Sequence, residues 1–256
     1  MPLAPISVDQ MREVDRLMVE DYRIELIQMM ENAGRSLAAL TRVLLGGNVA
    51  GSRIVVLVGT GNNGGGGMVA ARHLANAGAA VQVALTASPP LPGDVAEHQR
   101  VALQAMGVPD VRGLTQPEAL AALMRDADTI LDALIGYSLR GAPREPVASW
   151  IRGANSAYGP RIALDLPSGL DGDAGTPHDP TLRADATLTL AWPKRGLLAP
   201  TARPFVGDLY LADISVPEPV YRALGVQRGD VFARGPLVRV RPVAGGWEPA
   251  DEMASA

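Results

Sequence analysis

Residues 54–74, IVVLVGTGNNGGGGMVAARHL, determine the fold class of this chain. The run Ile54–Val58 is short, apolar and rich in β-branched residues, which is typical of a strand buried on both faces of a parallel sheet. From Met68 onward, apolar residues recur at helical spacing. The nine residues between strand and helix, 59–67, include six glycines and two asparagines, so backbone N–H groups can approach a ligand with no Cβ in the way. Such a loop before a helix predicts a binding site for phosphate or another anion.

Length and composition limit the classes of protein to consider. With 256 residues, 47% of them hydrophobic, the chain fits one large α/β domain. Its formal net charge of −4 gives no electrostatic reason to expect nucleic acid or an anionic membrane as a partner. The lack of cysteine excludes disulfides, thiolate metal sites and a cysteine nucleophile. Because no signal peptide and no membrane-spanning apolar run are evident, we expect a cytoplasmic protein.

Predicted strands alternate with predicted helices along the chain. The first helix follows the capping-box sequence Ser7-Val8-Asp9-Gln10, and later strands are predicted at 81–85, 129–134, 161–164, 186–192 and 209–213. This alternation predicts an α/β fold with a mostly parallel, doubly wound sheet and helices on both faces. In such sheets, ligands bind beyond the carboxyl ends of the strands. We expect one domain over residues 1–235 and a poorly ordered tail over residues 236–256, where periodicity is lost.

The glycine-rich loop does not match the commonest nucleotide-binding motifs. Residues 59–64 satisfy GxGxxG, but the second predicted strand ends without the acidic residue that binds a ribose in dehydrogenases, and the next carboxylate is Asp94. A Walker A loop is excluded, because Gly67-Met68-Val69 stands where Gly-Lys-Ser/Thr is required. Ser168 lies in Pro-Ser-Gly rather than in Gly-x-Ser-x-Gly, which disfavours a serine hydrolase.

Oxygen-bearing side chains stand at the ends of three predicted strands. They are Asn62, Asn63, Asp132, Asp165 and Ser168. Together they could ligate a hard cation through oxygen while glycine amides bind phosphate. Each residue taken singly is equally explained as a turn former or a helix cap.

Five segments resemble one known family. They are residues 59–74, GTGNNGGGGMVAARHL; 131–146, LDALIGYSLRGAPREP; 163–175, ALDLPSGLDGDAG; 184–198, ADATLTLAWPKRGLL; and 11–40, which precede them. In this order they resemble the YjeF N-terminal domain family of NAD(P)H-hydrate epimerases, also called apolipoprotein A-I-binding proteins. The resemblance implies a Rossmann-like three-layer αβα sandwich, a homodimer, and interconversion of the R and S forms of hydrated NADH and NADPH. It also implies functional coupling to a separate ADP- or ATP-dependent NAD(P)H-hydrate dehydratase.

The resemblance also implies the residues of the site. It places a potassium ion, and no organic cofactor, on Asn63, Asp132 and Ser168. It places the hydrated dinucleotide, which is the substrate, against Asn62, Asn63, Gly64, Gly65, Gly66, Gly136, Tyr137, Ser138, Leu139, Arg140, Gly141, Ala142 and Asp165. Asp165 is the candidate acid/base: it would protonate the departing hydroxyl and deprotonate the returning water, with an iminium-like ring between the two steps. The role of Lys194, in the Pro-Lys segment, stays open between facing the site and lying at the sheet edge.

The chain departs from the family pattern at Gly66, where the family sequence GNNGGDG has an aspartate. Residues 136–138, Gly-Tyr-Ser, also differ from the commoner Gly-Thr-Gly. Two hypotheses follow. The first is an active epimerase, in which the aspartate is dispensable or another carboxylate replaces it. The second is a catalytically impaired nucleotide-binding or scaffold module of the same fold.

Overall fold

The structure is a computed structural model that describes residues 2–86, 95–112 and 117–250. Nine strands form one sheet; in chain order they are β1 (Arg53–Val58), β2 (Ala80–Leu85), β3 (Asp110–Arg112), β4 (Thr129–Ala133), β5 (Arg161–Leu164), β6 (Ala186–Leu190), β7 (Asp208–Ala212), β8 (Leu237–Val243) and β9 (Gly246–Pro249). Their order across the sheet is β3-β2-β1-β4-β5-β6-β7-β8-β9. The first seven strands are parallel, and β8 and β9 are antiparallel.

Helices cover both faces of this sheet. They are α1 (Val8–Glu20), α2 (Leu26–Leu44), α3 (Asn62–Asn76), α4 (Val95–Ala105), α5 (Pro117–Arg125), α6 (Val147–Asn155), α7 (Arg203–Val206) and α8 (Glu218–Ala223), with 3₁₀ turns at Arg195–Leu198 and Pro200–Ala202. In β1, the side chains of Ile54, Val56 and Val58 pack with α2, α3 and α4. Val55 and Leu57 point the other way and pack with α5 and α6. The predicted α/β fold with a doubly wound sheet buried on both faces is therefore confirmed.

The first helix begins where the sequence predicts. The Ser7 hydroxyl accepts a hydrogen bond from the Gln10 backbone N–H at 3.1 Å, and the Gln10 side chain accepts one from the Ser7 N–H at 2.9 Å. This reciprocal pair satisfies N–H groups that have no partner inside the helix. The capping box is thus confirmed, and it sets the start of α1 above the carboxyl edge of the sheet.

The prediction that residues 59–67 form a loop is wrong from Asn62 onward, because α3 begins at Asn62 rather than near Met68. The glycines let this helix pack closely. A Cβ at Gly67 would lie 2.4 Å from the Ala133 Cβ, and one at Gly65 would lie 2.4 Å from the Met30 Sδ. Close packing compensates for the low helix propensity of glycine here. Most of the glycines therefore serve helix packing.

The prediction of a poorly ordered tail from residue 236 is also wrong for the described residues. Residues 237–249 form β8 and β9, which extend the sheet beyond β7. Leu237, Val238, Val240 and Trp247 are buried. These strands are short, and a strand of four to seven residues gives a weak alternation signal, so the sequence pattern missed them. Residues 251–256, Asp94 and the proline-rich connection at 89–92 lie outside the described residues.

In the described part of the chain, no helix combines the length and the apolar character needed to cross a bilayer.

The close packing of α3 against β4 can be tested by substituting Gly67. Gly67→Ala should lower the free energy of unfolding by about 1–3 kcal/mol, because the new methyl group meets a Cβ fixed on a central strand. The matched control is Gly153→Ala in α6, whose new methyl group would meet flexible Leu120 and Met124 side chains at 3.2 Å or more. It should be neutral or stabilising, because alanine favours helix. Urea unfolding measures both variants; equal stabilities would contradict the packing described.

Candidate active site

The candidate site lies where the sheet reverses its strand order. The chain runs outward from β1 to β2 and β3 on one side, and returns to β4 and β5 on the other. Such a switch point leaves a crevice at the carboxyl ends of the strands. A cavity of about 440 Å³ occupies this position. Its walls come from α1, α2, the start of α3 and the segments that follow β4, β5 and β6.

Most of the cavity wall is apolar. The contributing side chains come from six different elements or their ends: Met11, Leu26, Met29, Met30, Ala33, Leu134, Ile135, Leu164, Leu190 and Ile214. Against this surface stand a few polar groups, notably Asp15, Asn63, Tyr137, Asp165 and Lys194. An apolar cavity with a few convergent polar groups is the usual form of a small-molecule site.

The central polar feature is a buried ion pair between Asp165, which follows β5, and Lys194, which follows β6. The Lys194 Nζ donates to the Asp165 Oδ1 at 2.5 Å, to the Leu190 carbonyl at 2.7 Å and to the Thr189 hydroxyl at 3.4 Å. These three contacts occupy all three protons of the ammonium group. Lys194 is fully buried and Asp165 is 3% exposed. Asp165 therefore borders the cavity with its counter-charge supplied by Lys194, which also lines it.

The backbone fixes the direction of the Asp165 side chain. Asp165 has φ +69°, a left-handed conformation that is uncommon outside glycine. Its N–H donates to the Leu188 carbonyl at 2.7 Å, and its Oδ2 accepts the Tyr137 N–H at 3.0 Å. A Cβ on Gly136 would lie 3.0 Å from that same Oδ2, so the loop after β4 can approach the carboxylate only with glycine there. Backbone held in this way is common at functional sites.

Behind the cavity, Asp132 and Ser168 form a second buried cluster. The Asp132 carboxylate accepts the Ser168 hydroxyl at 2.7 Å, the Ser168 N–H at 2.8 Å and the Leu134 N–H at 3.1 Å. The Ser168 Oγ in turn accepts the Ile135 N–H at 2.9 Å. Burial raises the pKa of Asp132 to about 6, although the Ser168 and Leu134 hydrogen bonds oppose the rise. All of its partners within the described residues are neutral, so this carboxylate has no counter-charge there.

Asn63, in the first turn of α3, lines the same cavity as Asp165 and lies close to Gly136. Its amide Nδ2 is buried and has no hydrogen-bond partner within the described residues. A Cβ on Gly136 would lie 3.3 Å from the Asn63 Oδ1, which places this amide next to the segment that touches Asp165. The amide nitrogen and oxygen are assigned from such contacts, so either atom can face a ligand. An unpaired buried amide is costly unless a bound group satisfies it.

These residues fit the cation implied by the family resemblance. The donor set of Asn63, Asp132 and Ser168 consists of oxygens alone, with a single carboxylate, which suits a hard cation of low charge. Asp132 has no counter-charge among the described residues, and a bound cation would supply one. The Asn63 amide, with its oxygen turned toward the ion, would add a neutral ligand. Within residues 2–86, 95–112 and 117–250, no cluster of three or more His, Cys, Asp and Glu side chains could hold a metal ion, so a carboxylate-rich or histidine site is not indicated.

The predicted substrate residues separate into two groups. Asn62, Asn63, Gly66, Gly136, Tyr137, Ser138 and Asp165 line the cavity. Gly64 and Gly65 face packing partners, and Leu139, Arg140, Gly141 and Ala142 lie outside the lining. The last three of these are exposed. Contacts of these residues with a substrate stay predictions.

Two polar residues of the cavity were missed or left undecided by sequence reasoning. Asp15 lines the cavity from α1 and accepts a hydrogen bond from the Tyr137 hydroxyl. Lys194 faces Asp165 and not the sheet edge. A charged residue directly after a buried strand was the available signal for Lys194. For Asp15, the only signal was its position beside the apolar stripe of α1. That position does not indicate which residue Asp15 contacts.

Comparisons with known proteins agree on one family. Residues 26–196 match the model of the family described as "YjeF-related protein N-terminus". The NAD(P)H-hydrate epimerase of Dehalogenimonas lykanthroporepellens is 44% identical over 239 residues, which are 93% of this chain and 93% of that protein. The NAD(P)H-hydrate epimerase of Rhodopirellula baltica is 37% identical over 229 residues, covering 88% and 90% of the two chains.

Two further comparisons concern a longer, bifunctional relative and a solved structure. The bifunctional NAD(P)H-hydrate repair enzyme Nnr of Hyperthermus butylicus is 40% identical over 222 residues, 86% of this chain but only 38% of that protein. The crystal structure of the yeast protein YNL200c superposes with a TM-score of 0.78 over 93% of this chain and 100% of that one, at 23% identity, which supports the fold alone. With the family model matching more than half of its length and a full-length relative at 44% identity, this chain belongs to the YjeF N-terminal family.

Proposed function

We propose that this protein is an isomerase, an NAD(P)H-hydrate epimerase that interconverts the R and S forms of hydrated NADH and NADPH. The observation that carries the proposal is the Asp165–Lys194 pair at the wall of a largely apolar cavity, at the switch point of the sheet. Relatives that match this chain over nine-tenths of their length bear that name. No observation on the described residues favours the alternative of an impaired nucleotide-binding or scaffold module.

The reaction requires a proton donor, a proton acceptor and a cavity that shelters a cation. The hydrate carries its hydroxyl on a ring carbon bonded to nitrogen. When the C–O bond breaks, the nitrogen lone pair forms a C=N bond and the ring becomes cationic. A carboxylate beside that ring stabilises the developing positive charge. Asp165 is positioned to do so, and to exchange a proton with the oxygen that leaves or returns.

Lys194 acts through Asp165 and is a positioning residue. Because its three protons are directed to Asp165, Thr189 and Leu190, none is available to a molecule in the cavity. Its hydrogen bond fixes the orientation of the Asp165 carboxyl at the cavity wall.

The rest of the substrate binds at the first turn of α3. Asn62, Asn63 and Gly64 supply backbone N–H groups that have no partner within the helix, and the Gly61 N-cap adds no side-chain hydrogen bond. This helix end favours the pyrophosphate of a dinucleotide. Arg140, exposed in the loop after β4, is available for the phosphates that extend from the cavity mouth.

A potassium ion belongs to the same proposal. Asn63, Asp132 and Ser168 would hold it. When bound, the ion would supply the counter-charge that Asp132 lacks within the described residues. The Ile135 and Tyr137 N–H groups contact Ser168 and Asp165 and so connect the loop 134–138 to these residues.

The proposed partners follow from the relatives. Several are bifunctional NAD(P)H-hydrate repair enzymes in which this chain matches only about two-fifths of the length. We therefore propose coupling to a separate ADP- or ATP-dependent dehydratase that consumes the S form. A homodimer and a cytoplasmic location are parts of the same proposal and rest on the family resemblance.

The direct test is the equilibration of a single epimer of hydrated NADH, followed by chromatography. The wild-type protein should accelerate it well beyond the rate in buffer. Asp165→Asn should reduce the rate about 100-fold or more, since general acid–base catalysis contributes that much. Asp179→Asn, at a side chain that is 93% exposed, is the matched control and should behave as wild type. A wild-type rate equal to buffer would refute the function.

A second prediction concerns the buried ion pair. Lys194→Met should lower the free energy of unfolding by about 3–5 kcal/mol, because it leaves the Asp165 charge buried without a partner. The double variant Lys194→Met/Asp165→Asn should recover part of this loss. Arg12→Met, which breaks an exposed pair with Asp9, should change little. Denaturant unfolding measures all three, and a Lys194→Met variant no less stable than Arg12→Met would count against the pair.

A third prediction concerns the cation and does not depend on activity. Potassium chloride should raise the melting temperature above that in tetramethylammonium chloride of equal ionic strength, because a ligand bound only by the folded state stabilises it. Asp132→Asn and Ser168→Ala should each abolish the difference. Identical melting temperatures of the wild type in the two salts would exclude a potassium site.

A further inference from the structure

A second carboxylate faces the cavity from α1, outside the 26–196 segment that the family model matches. The other acidic residues of this helix lie on its outer side, where Asp9 pairs with Arg12, and Glu13 and Glu20 pair with Arg16. Asp15 forms no ion pair within the described residues. Its partner there is the Tyr137 hydroxyl, which donates to its Oδ2. Asp15 is thus the carboxylate of α1 that is turned toward the candidate site.

The two cavity carboxylates have different surroundings. Asp165 receives a lysine ammonium and a backbone N–H. Asp15 receives one phenol hydroxyl, and burial raises the pKa of its carboxyl, with the Tyr137 hydrogen bond and the charge of Lys194 opposing the rise and Asp165 adding to it. Arg12 is the other charged group that acts on Tyr137. Paired carboxyls whose environments differ in this way are typical of enzymes that divide acid and base roles.

Tyr137 holds the two carboxylates apart. Its backbone N–H donates to the Asp165 Oδ2 at 3.0 Å, and its hydroxyl, at the other end of the residue, donates to Asp15. Tyr137 therefore connects the two carboxyl groups through its backbone at one end and its hydroxyl at the other, and all three residues line the same cavity. Carboxyl groups held apart in this manner can serve two sides of one ring, as in glycosidases that invert configuration.

Epimerisation requires proton transfer at both faces of the ring. The hydroxyl leaves one face of the ring, and the water that replaces it must add to the opposite face. A single carboxyl reaches both faces only if the ring turns over within the site. Two separated carboxyls remove that need.

We propose that Asp15, positioned by Tyr137, is the second proton-transfer group of the epimerase and serves the ring face opposite to that served by Asp165. This inference rests on the proposed function. In one direction, a protonated carboxyl gives its proton to the hydroxyl, the C–O bond breaks, water leaves with the electron pair, and the nitrogen lone pair forms C=N. The other carboxylate then removes a proton from a water whose oxygen bonds to the ring carbon from the opposite face, and the C=N π pair returns to nitrogen as its lone pair. One proton has moved between the carboxyls, exchange with solvent resets it, and the reverse reaction exchanges their roles.

Oxygen-18 water separates the two faces experimentally. Each purified epimer of hydrated NADH is incubated in it with wild-type protein, Asp15→Asn or Asp165→Asn. Chromatography measures epimerisation and mass spectrometry measures oxygen-18 in each epimer, both corrected for the rate in buffer. Asp15→Asn should lose about 100-fold or more in epimerisation but still exchange oxygen in one epimer, since Asp165 can expel and restore the hydroxyl on its own face. Asp165→Asn should retain exchange in the other epimer only.

The controls keep the outcome decisive. Asp9→Asn makes the same chemical change on the outer face of α1 and should match wild type in both measurements. Tyr137→Phe keeps the backbone bond to Asp165 and removes only the hydroxyl bond to Asp15. Because that bond favours the ionised form, its loss should move the Asp15 limb of the rate profile to higher pH.

Two results would overturn the inference. One is an Asp15→Asn variant that epimerises at the wild-type rate. The other is an Asp165→Asn variant that is folded and still binds the hydrate but loses oxygen exchange in both epimers. That result would make Asp165 the sole proton-transfer group. A wild-type protein that does not epimerise at all would instead refute the proposed function.

Discussion

The organisation of the site depends on the burial of one ion pair. Removing the charges of Asp165 and Lys194 from water costs several kcal/mol for each ion, and mutual attraction offsets this only when the remaining hydrogen bonds are also satisfied. The surroundings meet that condition through Thr189, Leu190 and Tyr137. The pair thereby joins the ends of β5 and β6 to the loop after β4. A carboxyl held in this way has a fixed orientation and borders the cavity.

Close packing of α3 brings the second part of the site to the same place. Because Gly67 and Gly65 let the helix approach Ala133 and Met30, its first turn reaches the carboxyl ends of β1 and β4. Asn63 then stands beside Gly136, which in turn touches Asp165. Small residues inside the helix therefore determine where its amino-terminal N–H groups point. The glycines act on the site mainly through this placement.

Local patterns in the sequence predicted most of the fold. Patterns of this kind depend on neighbours within a few residues. They include the capping box at Ser7, the apolar run at Ile54–Val58, and the carboxylates near the ends of β4 and β5. Tertiary packing decided the rest. Helix α3 starts within a glycine run whose propensity argues against helix, and Asp15 meets Tyr137 across 122 residues of sequence. A single sequence specifies neither contact, so the pairing at the site could not be derived from it.

The glycine at position 66 affects both the shape of the cavity and the number of carboxyl groups in it. A Cβ there would lie 2.9 Å from the Leu164 Cδ2 and 3.9 Å from the Ala33 Cβ, so glycine keeps space open along the apolar wall. Without a carboxyl at this position, Asp165 and Asp15 still face the cavity against the single charge of Lys194. Carboxyl groups therefore outnumber lysine side chains in the cavity lining, and carboxylates near a ring that becomes cationic stabilise its charge. In the proposed mechanism, glycine at residue 66 therefore leaves both proposed proton-transfer groups, Asp15 and Asp165, in the cavity lining.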